Sequence, residues 1–280
     1  MFNLIKNNKL YKDYETCRFA GYDINILRKY YDKTFIEICC QGPSNGKICF
    51  EPNHCSPFAR VFHFEYKGEC FYYKSFLLRK RLELFKDIFR GSRAERALKG
   101  HLLLQEKGFN APCISMIGVK GRCNFLVSRG VKGASAYKFF EDMSVSARLS
   151  GNHFQKRSSI DQLGNIIGRL HKLGISHGDL RLGNIFIETS DSCQPRFFFL
   201  DNERTIQYKK LPQRKRLKNL IQLNIYIDPI ATNTDRLRFF RSYLQENPEL
   251  IPMKKKWLIQ IINKTGKRVA KRARRHTVGS

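Results

Sequence analysis

The eight residues from His177 to Asn184 constrain this chain more than any other stretch. Asp179 and Asn184 stand five positions apart in it, and Asp201 directly follows the apolar run Phe197–Leu200. Metal-assisted phosphoryl transfer from ATP uses a proton acceptor and oxygen ligands at this spacing. Asp179 would accept the proton of the acceptor hydroxyl, and Asn184 and Asp201 would bind Mg²⁺ at the nucleotide phosphates.

Arg181, in the same loop, would neutralise the phosphoryl group during transfer. A turn without a catalytic role would use the same residue types, because Asp, Asn and Gly are all common in turns. The flanking pattern favours catalysis: it predicts a helix over 159–173, then strands over 185–187 and 197–200 joined by a turn at 191–195. Helix, loop, hairpin and metal-binding Asp follow one another in this order in a kinase C-lobe.

The N-terminal half has the pattern of an antiparallel sheet. Strands are predicted over 34–40, 47–51, 59–66 and 69–76, with a tight turn at Lys67-Gly68. Lys74 lies in the last of these strands, where a kinase N-lobe carries the lysine that binds the α- and β-phosphates. Since the chain has 52 Lys and Arg residues, this assignment depends on the helix that follows.

That helix is predicted over 92–108, with Ser92 as its cap and Gly108 as its stop. Glu95, in its first turns, would reach back to Lys74 and form the pair that fixes the phosphate-binding lysine. The alternative is a solvent-facing Glu95 paired with Lys99, which would contribute only ~0.2–0.5 kcal/mol. The order of strand and helix in the chain favours the pairing with Lys74.

The phosphate-covering loop departs from the kinase pattern. A G-x-G-x-x-G is expected between the first two strands of the lobe, yet residues 53–61 hold no glycine, and the glycine-bearing residues 41–46 come one strand early. Backbone N–H groups of a Ser/Asn turn also bind phosphate, so the kinase interpretation stands. Strands are predicted next over 114–119 and 123–127, before a polar connector.

We predict an α+β, protein-kinase-like bilobal fold with a β-rich N-lobe and a mainly helical C-lobe. The further C-lobe helices are predicted over 137–142, 214–227, 234–245 and 253–262. The predicted boundaries are an N-lobe over 1–127 with one helix on its sheet, an interlobe hinge over 128–134, a C-lobe over 135–253 and a basic tail over 254–280. In the tail, the apolar residues between Trp257 and Ile262 lie between a first cluster of Lys and the later Lys and Arg, which predicts a basic helix in the lipid headgroup plane.

Composition bounds the partners and the compartment. With 280 residues, of which 42% are hydrophobic, the chain can bury one or two cores. The formal net charge is +28, and residues 204–280 hold 20 Lys/Arg but four acids, which indicates an anionic partner: a phosphorylated lipid, an acidic membrane surface or nucleic acid. Nine cysteines without a C-x-x-C pair argue against a disulfide framework and a zinc site. We find neither a signal peptide nor a bilayer-spanning stretch, so we expect a cytoplasmic location.

Several segments resemble the bacterial lipopolysaccharide-core kinases, the Kdo and heptose kinases that share an atypical protein-kinase-like fold. The similarity lies in Ser92-Arg-Ala-Glu95-Arg, His171 to Ile185, Leu200-Asp201, Asn219 to Asn224, and Thr234 to Leu244. These segments lie between about residue 70 and residue 245. The last two are more particular to this family than the central loop, which other small-molecule kinases share.

The resemblance implies a role for each candidate residue. Asp179 would be the catalytic base, Asn184 and Asp201 the Mg²⁺ ligands, Lys74 the phosphate lysine and Glu95 its partner. Members of the family commonly have Asp-Phe-Asp after the apolar strand, whereas this chain has Asp201-Asn-Glu. The third residue of this motif, Glu203, is therefore a further candidate metal ligand.

Two functions follow as hypotheses. The first is an ATP- and Mg²⁺-dependent kinase of a sugar hydroxyl, Kdo or heptose, in the lipid A–core oligosaccharide, peripheral on the cytoplasmic face of the inner membrane. After Asp201 there is no A-P-E-like segment, which argues against a peptide substrate. The second is a catalytically degenerate kinase fold whose charge binds nucleic acid or acidic membrane. Trp257 is the one aromatic residue of the tail, which makes nucleic acid the less favoured partner.

Overall fold

The computed structural model describes residues 9–77, 90–188, 195–225 and 230–277. The chain forms two compact units, Met1–Val131 and Lys132–Ser280. The candidate residues divide between them, since Lys74 and Glu95 belong to the first unit and the central loop with Asp201 belongs to the second.

The first unit is built on a seven-stranded antiparallel sheet, in the order β1-β2-β6-β7-β5-β4-β3. Its strands are β1 (Tyr14–Phe19), β2 (Tyr22–Leu27), β3 (Glu51–Ser56), β4 (Ala59–Tyr66), β5 (Glu69–Phe76), β6 (Ile114–Lys120) and β7 (Cys123–Arg129). The predicted hairpins 59–76 and 114–127 are confirmed. The predicted strand 47–51 overlaps β3 only at Glu51, because the ladder to β4 begins there.

The prediction of a strand over 34–40 is wrong: these residues form helix α1 (Lys33–Gln41). Asp32 caps the helix by accepting the Thr34 N–H at 2.9 Å. The buried residues recur with a helical period, Phe35, Ile36, Ile38 and Cys39, which places all four on one side of a helix. The apolar and β-branched content of the run favoured a strand, whereas the cap and this period produce the helix.

Among the described residues, a helix packs on each face of the sheet of the first unit. Because side chains alternate along a strand, Phe71 and Tyr73 pack with α1 on one face, whereas Phe76 packs on the other with Ala94 and Leu98 of helix α2 (Arg93–Glu106). Lys74 lies two residues before Phe76 in β5, so the two side chains are on the same face of the sheet, the face that packs against α2.

The second unit is mainly helical. Its helices are α3 (Ala136–Ser150), α4 (Phe154–Lys172), α5 (Gln213–Leu223), α6 (Asn233–Glu246) and α7 (Lys254–Thr277). They confirm the helices predicted from the sequence, with α3, α4 and α7 longer than expected. The short strands are β8 (Ala134–Ser135), β9 (Ile175–Ser176), β10 (Ile185–Glu188), β11 (Arg196–Phe199) and β12 (Ile206–Gln207).

Within the described part of the chain, no helix combines the length and the apolar character that crossing a membrane requires. The predicted turn at 191–195 lies outside the described residues except for its last position. The helix predicted over 214–227 ends earlier, at Leu223, where Asn224 caps it by donating its N–H to the Leu220 carbonyl. Residues 226–229 are not described.

Candidate active site

The central loop joins β9 to β10, and Asp201 directly follows β11 and Leu200. In the antiparallel pair of β10 and β11, Ile185 stands opposite Phe199. One step further out, the Leu200 N–H donates to the Asn184 carbonyl at 2.9 Å. The hairpin therefore brings Asn184 next to the residue that precedes Asp201, as a shared metal site requires.

His177 ties the start of the loop to the same point. Its ring Nε2 lies 2.9 Å from the Leu200 carbonyl oxygen, and because a carbonyl only accepts, Nε2 carries the hydrogen. Burial lowers the pKa of His177, and nearby Asp201 opposes that shift. A neutral His177 therefore fixes the path of the loop by donating one hydrogen bond.

Gly178 packs the loop closely against the segment after β11. Its φ is +79°, and a Cβ at this position would lie 2.7 Å from both the Cβ and the carbonyl oxygen of Arg204. Any other residue would combine an unfavourable backbone conformation with a clash against backbone. A glycine before Asp179 is thus a packing requirement of this loop.

The Asp179 carboxylate is held from three sides. Oδ1 accepts from Gln222 Nε2 at 2.9 Å and lies 2.9 Å from Arg181 Nε. The Asn184 amide nitrogen donates to the Asp179 carbonyl at 2.9 Å and reaches carboxylate Oδ2 at 3.4 Å. The second carboxylate oxygen, Oδ2, consequently has the weaker set of contacts and is the better placed of the two to take up a proton.

Arg181 lies beside the candidate base. The contact of its Nε with Asp179 meets the distance of an ion pair, although the N–H does not point along the line to the oxygen. About 40% of the Arg181 side chain is exposed, so an incoming anionic group can reach it. Its action on the transferred phosphoryl group stays a prediction.

The residues present fit a Mg²⁺ site. Asn184 uses its amide nitrogen to bind Asp179, which directs that nitrogen inward and leaves the amide oxygen, the atom that binds metal, for another partner. Asp201 has φ +58°, a conformation uncommon for a residue with a side chain. Strained backbone of this kind is concentrated at functional sites, and two oxygen ligands from the protein suit Mg²⁺.

The residues after Asp201 support the local structure. Asn202 is buried and donates to the Phe199 carbonyl at 2.9 Å. Glu203 is also buried, with Arg204 Nε 3.7 Å from its carboxylate. Asn202 therefore closes the turn that follows β11. Metal binding by Glu203 stays a prediction.

In the first unit, Lys74 stands in the interior of the sheet. It pairs with Val61 of β4 and Leu126 of β7, and its ammonium nitrogen lies 5.2 Å from the centre of the Phe76 ring. The order β3-β4-β5 makes β5 the third strand from the sheet edge at β3, which is the place of the phosphate lysine in a kinase lobe.

Glu95 closes the first turn of α2. Its Oε2 accepts the Ser92 N–H at 2.7 Å, and the Ser92 hydroxyl accepts the Glu95 N–H at 3.2 Å. This reciprocal pair is a capping box, which confirms the predicted Ser92 cap and gives Glu95 a structural role. The pairing of Glu95 with Lys74 stays a prediction.

The two roles of Glu95 can be separated by substitution. We expect Glu95→Gln to keep the unfolding free energy within ~0.5 kcal/mol, since Gln also completes a capping box, but to lower kcat/KM at least ~10-fold through the lost charge. Glu95→Ala should lose both the helix cap and the charge, and the lost cap should cost ~0.5–2 kcal/mol in the free energy of unfolding. Urea unfolding and steady-state kinetics measure the two effects. A Glu95→Gln enzyme with full activity would restrict Glu95 to capping, and a cycle with Lys74→Ala checks the coupling.

The candidate phosphate-covering segment, residues 53–61, forms the end of β3, a two-residue turn at Pro57-Phe58 and the start of β4. The Phe58 carbonyl accepts from the Leu77 N–H at 3.1 Å and from the Arg93 guanidinium at 2.6 Å. Arg93 belongs to α2 and is buried. The turn therefore lacks glycine but is anchored to the helix that carries Glu95.

Sequence reasoning missed the residues that hold Asp179 in place. Gln222 binds its carboxylate, and Lys218 donates to the Gly178 carbonyl at 2.8 Å. Both lie in α5, about 40 positions away in sequence. A polar Gln222 among apolar neighbours in Leu220-Ile-Gln-Leu223 was the available signal, since a polar residue on the buried side of a helix needs a partner.

The fold is protein-kinase-like, and the central loop holds Asp179 and Asn184 in one hydrogen-bonded turn. Residues 124–243 match the model of the lipopolysaccharide kinase (Kdo/WaaP) family. Among solved structures, "WaaP in complex with acyl carrier protein" is similar with a TM-score of 0.57 and 20% identity over 79% of this chain and 90% of that one. No curated protein sequence matches with significance. The predicted resemblance is confirmed: residues 124–243, which include the central loop, match the model of that kinase family, and the solved structure confirms the fold.

Proposed function

We propose that this protein transfers the γ-phosphate of ATP to a Kdo or heptose hydroxyl of the lipopolysaccharide inner core at the cytoplasmic face of the inner membrane. The observation that supports it most is the geometry of one loop. Asp179 is held by Gln222 and Asn184, and Asn184 is bonded through the β10–β11 hairpin to the residue before Asp201. A base and two oxygen ligands in one loop and hairpin are what the reaction needs.

In this proposal each group has one task. Mg²⁺, held by Asn184 and Asp201, would supply charge neutralisation at the nucleotide phosphates. Asp179 takes the proton of the sugar hydroxyl at Oδ2 while Gln222 holds Oδ1. Arg181, beside Asp179, balances negative charge on the phosphoryl group as it moves. Lys74 of the first unit would bind the phosphates that stay with the nucleotide.

The charge of the second unit fits the acceptor. A lipid A–core intermediate carries several negative charges and lies in the membrane, and each Lys or Arg near an acidic leaflet contributes ~1 kcal/mol to attraction. Helix α7 presents Lys254, Lys264 and Lys267 to solvent. A non-catalytic binding protein would need the same charge but would not need the held carboxylate of Asp179.

The direct test is Mg²⁺-dependent ADP release from ATP with purified core oligosaccharide that lacks phosphate. We expect turnover that requires both the metal and the oligosaccharide. Mass spectrometry of lipopolysaccharide from cells with and without the gene should then show a difference of one phosphate, and fragment masses identify the sugar that carries it. Binding of the oligosaccharide without ADP release, at any metal concentration, would instead favour the degenerate, non-catalytic protein.

Asp201→Asn tests the metal site. Asn tolerates the left-handed backbone at this position and removes the charge, so we expect weaker Mg·ATP binding and lower activity together, with a loss of ~10²-fold or more in kcat/KM. Glu188→Gln is the matched control, because it neutralises a carboxylate of the same hairpin that pairs with exposed Arg196. Titration of ATP at several Mg²⁺ concentrations gives both constants. Equal behaviour of the two variants would remove Asp201 from the metal site.

A further inference from the structure

A buried chain of polar side chains leads from Arg216 to the candidate base. Its members come from α4, α5 and α6 of the second unit and are almost fully removed from solvent: His171 is 1% exposed, Asn219 0%, Gln222 2% and Tyr243 0%. Polar groups are buried at this depth only when they are hydrogen-bonded. None of these side chains except Gln222 touches Asp179, so the catalytic loop alone does not account for them.

The first half of this series of hydrogen bonds starts at the charged guanidinium of Arg216. The Arg216 guanidinium donates to the Tyr243 hydroxyl oxygen at 2.6 Å, and that oxygen lies 2.9 Å from His171 Nδ1. On the other side of the ring, His171 Nε2 lies 3.2 Å from Asn219 Oδ1. Gly168 allows α6 to come close enough, because a Cβ there would meet the Tyr243 carbonyl oxygen at 3.0 Å.

The second half ends at the carboxylate. The Asn219 amide nitrogen donates to Gln222 Oε1 at 3.1 Å, and Gln222 Nε2 donates to Asp179 Oδ1 at 2.9 Å. The Leu180 N–H, which only donates, approaches Gln222 Oε1 at 3.3 Å and so fixes which way the Gln222 amide faces. Gln222 in turn fixes the orientation of Asn219.

The groups at the two ends, Arg216 and Asp179, determine the donor and the acceptor of every hydrogen bond between them. Arg216 only donates, and an ionised Asp179 only accepts. Since Asn219 Oδ1 accepts, His171 must carry its hydrogen on Nε2, and Nδ1 then accepts from Tyr243. Burial and the charge of Arg216 lower the pKa of His171 to about 3, so the ring is neutral as this scheme requires. Every hydrogen bond from Arg216 to Asp179 therefore points toward the carboxylate.

We propose that Tyr243, His171, Asn219 and Gln222 form a one-way hydrogen-bond relay that carries the polarisation of Arg216 to Asp179 and fixes its carboxylate for proton transfer. This inference rests on the proposed role of Asp179 as the base. The four residues are positioning residues, since Gln222 alone touches the carboxylate and none would contact the acceptor. Hydrogen bonds in a buried chain strengthen one another, and the relay occupies Oδ1, which leaves Oδ2 to take the proton.

The far end of the relay is anchored separately. Arg216 also donates to Asn247 Oδ1 at 2.6 Å, and Glu249 lies 3.6 Å from the guanidinium. Asn247 is itself held, because its amide donates to the Gly168 carbonyl at 3.0 Å. Asn247 and Glu249 thus hold the charged guanidinium of Arg216 independently of Tyr243. Loss of the hydrogen bond between Arg216 and Tyr243 would leave the guanidinium in position.

Tyr243→Phe cuts the relay by removing one oxygen. Ser242→Ala is the matched control, since Ser242 is the neighbouring buried residue of α6 and its hydroxyl donates to Asp161 at 2.6 Å, outside the relay. With phosphate-free core oligosaccharide as acceptor, we expect Tyr243→Phe to lower kcat ~10-fold and to leave the KM for ATP unchanged. A loss of this size corresponds to the free energy of one hydrogen bond to a charged group. Ser242→Ala should keep kcat even where its thermal stability falls as much.

A double variant tests whether Tyr243 acts on Asp179 through the intervening hydrogen bonds. In Gln222→Met the last link is already lost, so adding Tyr243→Phe should change kcat less than twofold, whereas in Ser242→Ala it should show its full effect. The same fold-loss in all backgrounds, or equal losses for Tyr243→Phe and Ser242→Ala, would overturn the relay. If Asp179→Asn itself retains turnover, the proposed base fails first, which is a separate result.

The direction of the relay also has a readout that does not depend on activity. Imidazole ¹⁵N NMR of the histidine-labelled wild-type protein, with His171 assigned by its loss in His171→Gln, should show a neutral ring with the hydrogen on Nε2 from pH 8 to pH 5. A hydrogen on Nδ1, or a protonated ring in this range, would reverse or break the chain and overturn the proposal.

Discussion

Replacing Asp179 by Asn is expected to lower phosphoryl transfer by ~10²–10⁴-fold, the usual contribution of a positioned general base. The reason lies in how the two carboxylate oxygens are used. Gln222 and Arg181 approach Oδ1, and the carbonyl oxygen of Asn can serve them equally well. The amide nitrogen then takes the place of Oδ2, and it cannot accept the proton of the sugar hydroxyl.

Nucleotide binding should survive this change, because the metal ligands Asn184 and Asp201 are untouched. Asp161→Asn is the control, since it neutralises a carboxylate of the same unit that accepts from Ser242, away from the loop. Single-turnover transfer to a verified acceptor, beside a titration of Mg·ATP, measures the two steps. Near-wild-type transfer by Asp179→Asn would contradict the role that the loop geometry supports.

The central loop could be recognised in the sequence as one compact turn because its determinants are local. Asp179, Arg181 and Asn184 lie in one turn, and the β10–β11 hairpin that adds Asp201 is a short-range pairing. The cap of α2 at Ser92 is equally local, and both appear in the structure at the expected positions. Local determinants of this kind need no knowledge of which elements meet in three dimensions.

The parts that sequence reasoning missed depend on packing. Helix α1 was predicted as a strand because Ile36 and Ile38 are β-branched, whereas the Asp32 cap and the burial of one side of the helix in the core of the first unit decide the outcome. The role of Gln222 depends on α5 meeting the loop, and that of Tyr243 depends on α6 lying against α4. A pattern within one element does not show the partner on another, so these contacts could not be derived from spacing.

The tail is the second place where packing changes the expectation. The sequence predicted a basic helix in the headgroup plane, and helix α7 is indeed present over Lys254–Thr277. Trp257 and Ile261 are buried, and the Thr265 hydroxyl accepts from the Asn224 amide at 3.0 Å. These residues recur every four positions, so one side of α7 packs on the second unit and joins it to α5. Ile259 and Ile262 remain exposed on the other sides.

Truncation after Pro252 is therefore expected to unfold much of the second unit. Loss of a buried Trp alone costs about 3–5 kcal/mol, and whole domains are stable by only about 5–15 kcal/mol. A thermal melt followed by circular dichroism should show a lower midpoint or no cooperative transition. Residual ATP binding would then report on the first unit and could not be taken as evidence about membrane contact.

The charge of α7 has to be tested without removing the helix. Replacing Lys264, Lys267 and Lys271 by Gln changes solvent-exposed positions, so the melting temperature should stay the same. At ~1 kcal/mol for each lysine near an acidic surface, binding to vesicles with acidic lipid should weaken about 100-fold, with no binding to neutral vesicles. If the truncated protein melts like the full chain and binds acidic vesicles equally well, α7 neither stabilises the unit nor contacts the membrane. A truncated protein that unfolds, together with a stable Gln variant that binds acidic vesicles more weakly, assigns the Trp257 side of α7 to the fold and its lysines to the lipid surface.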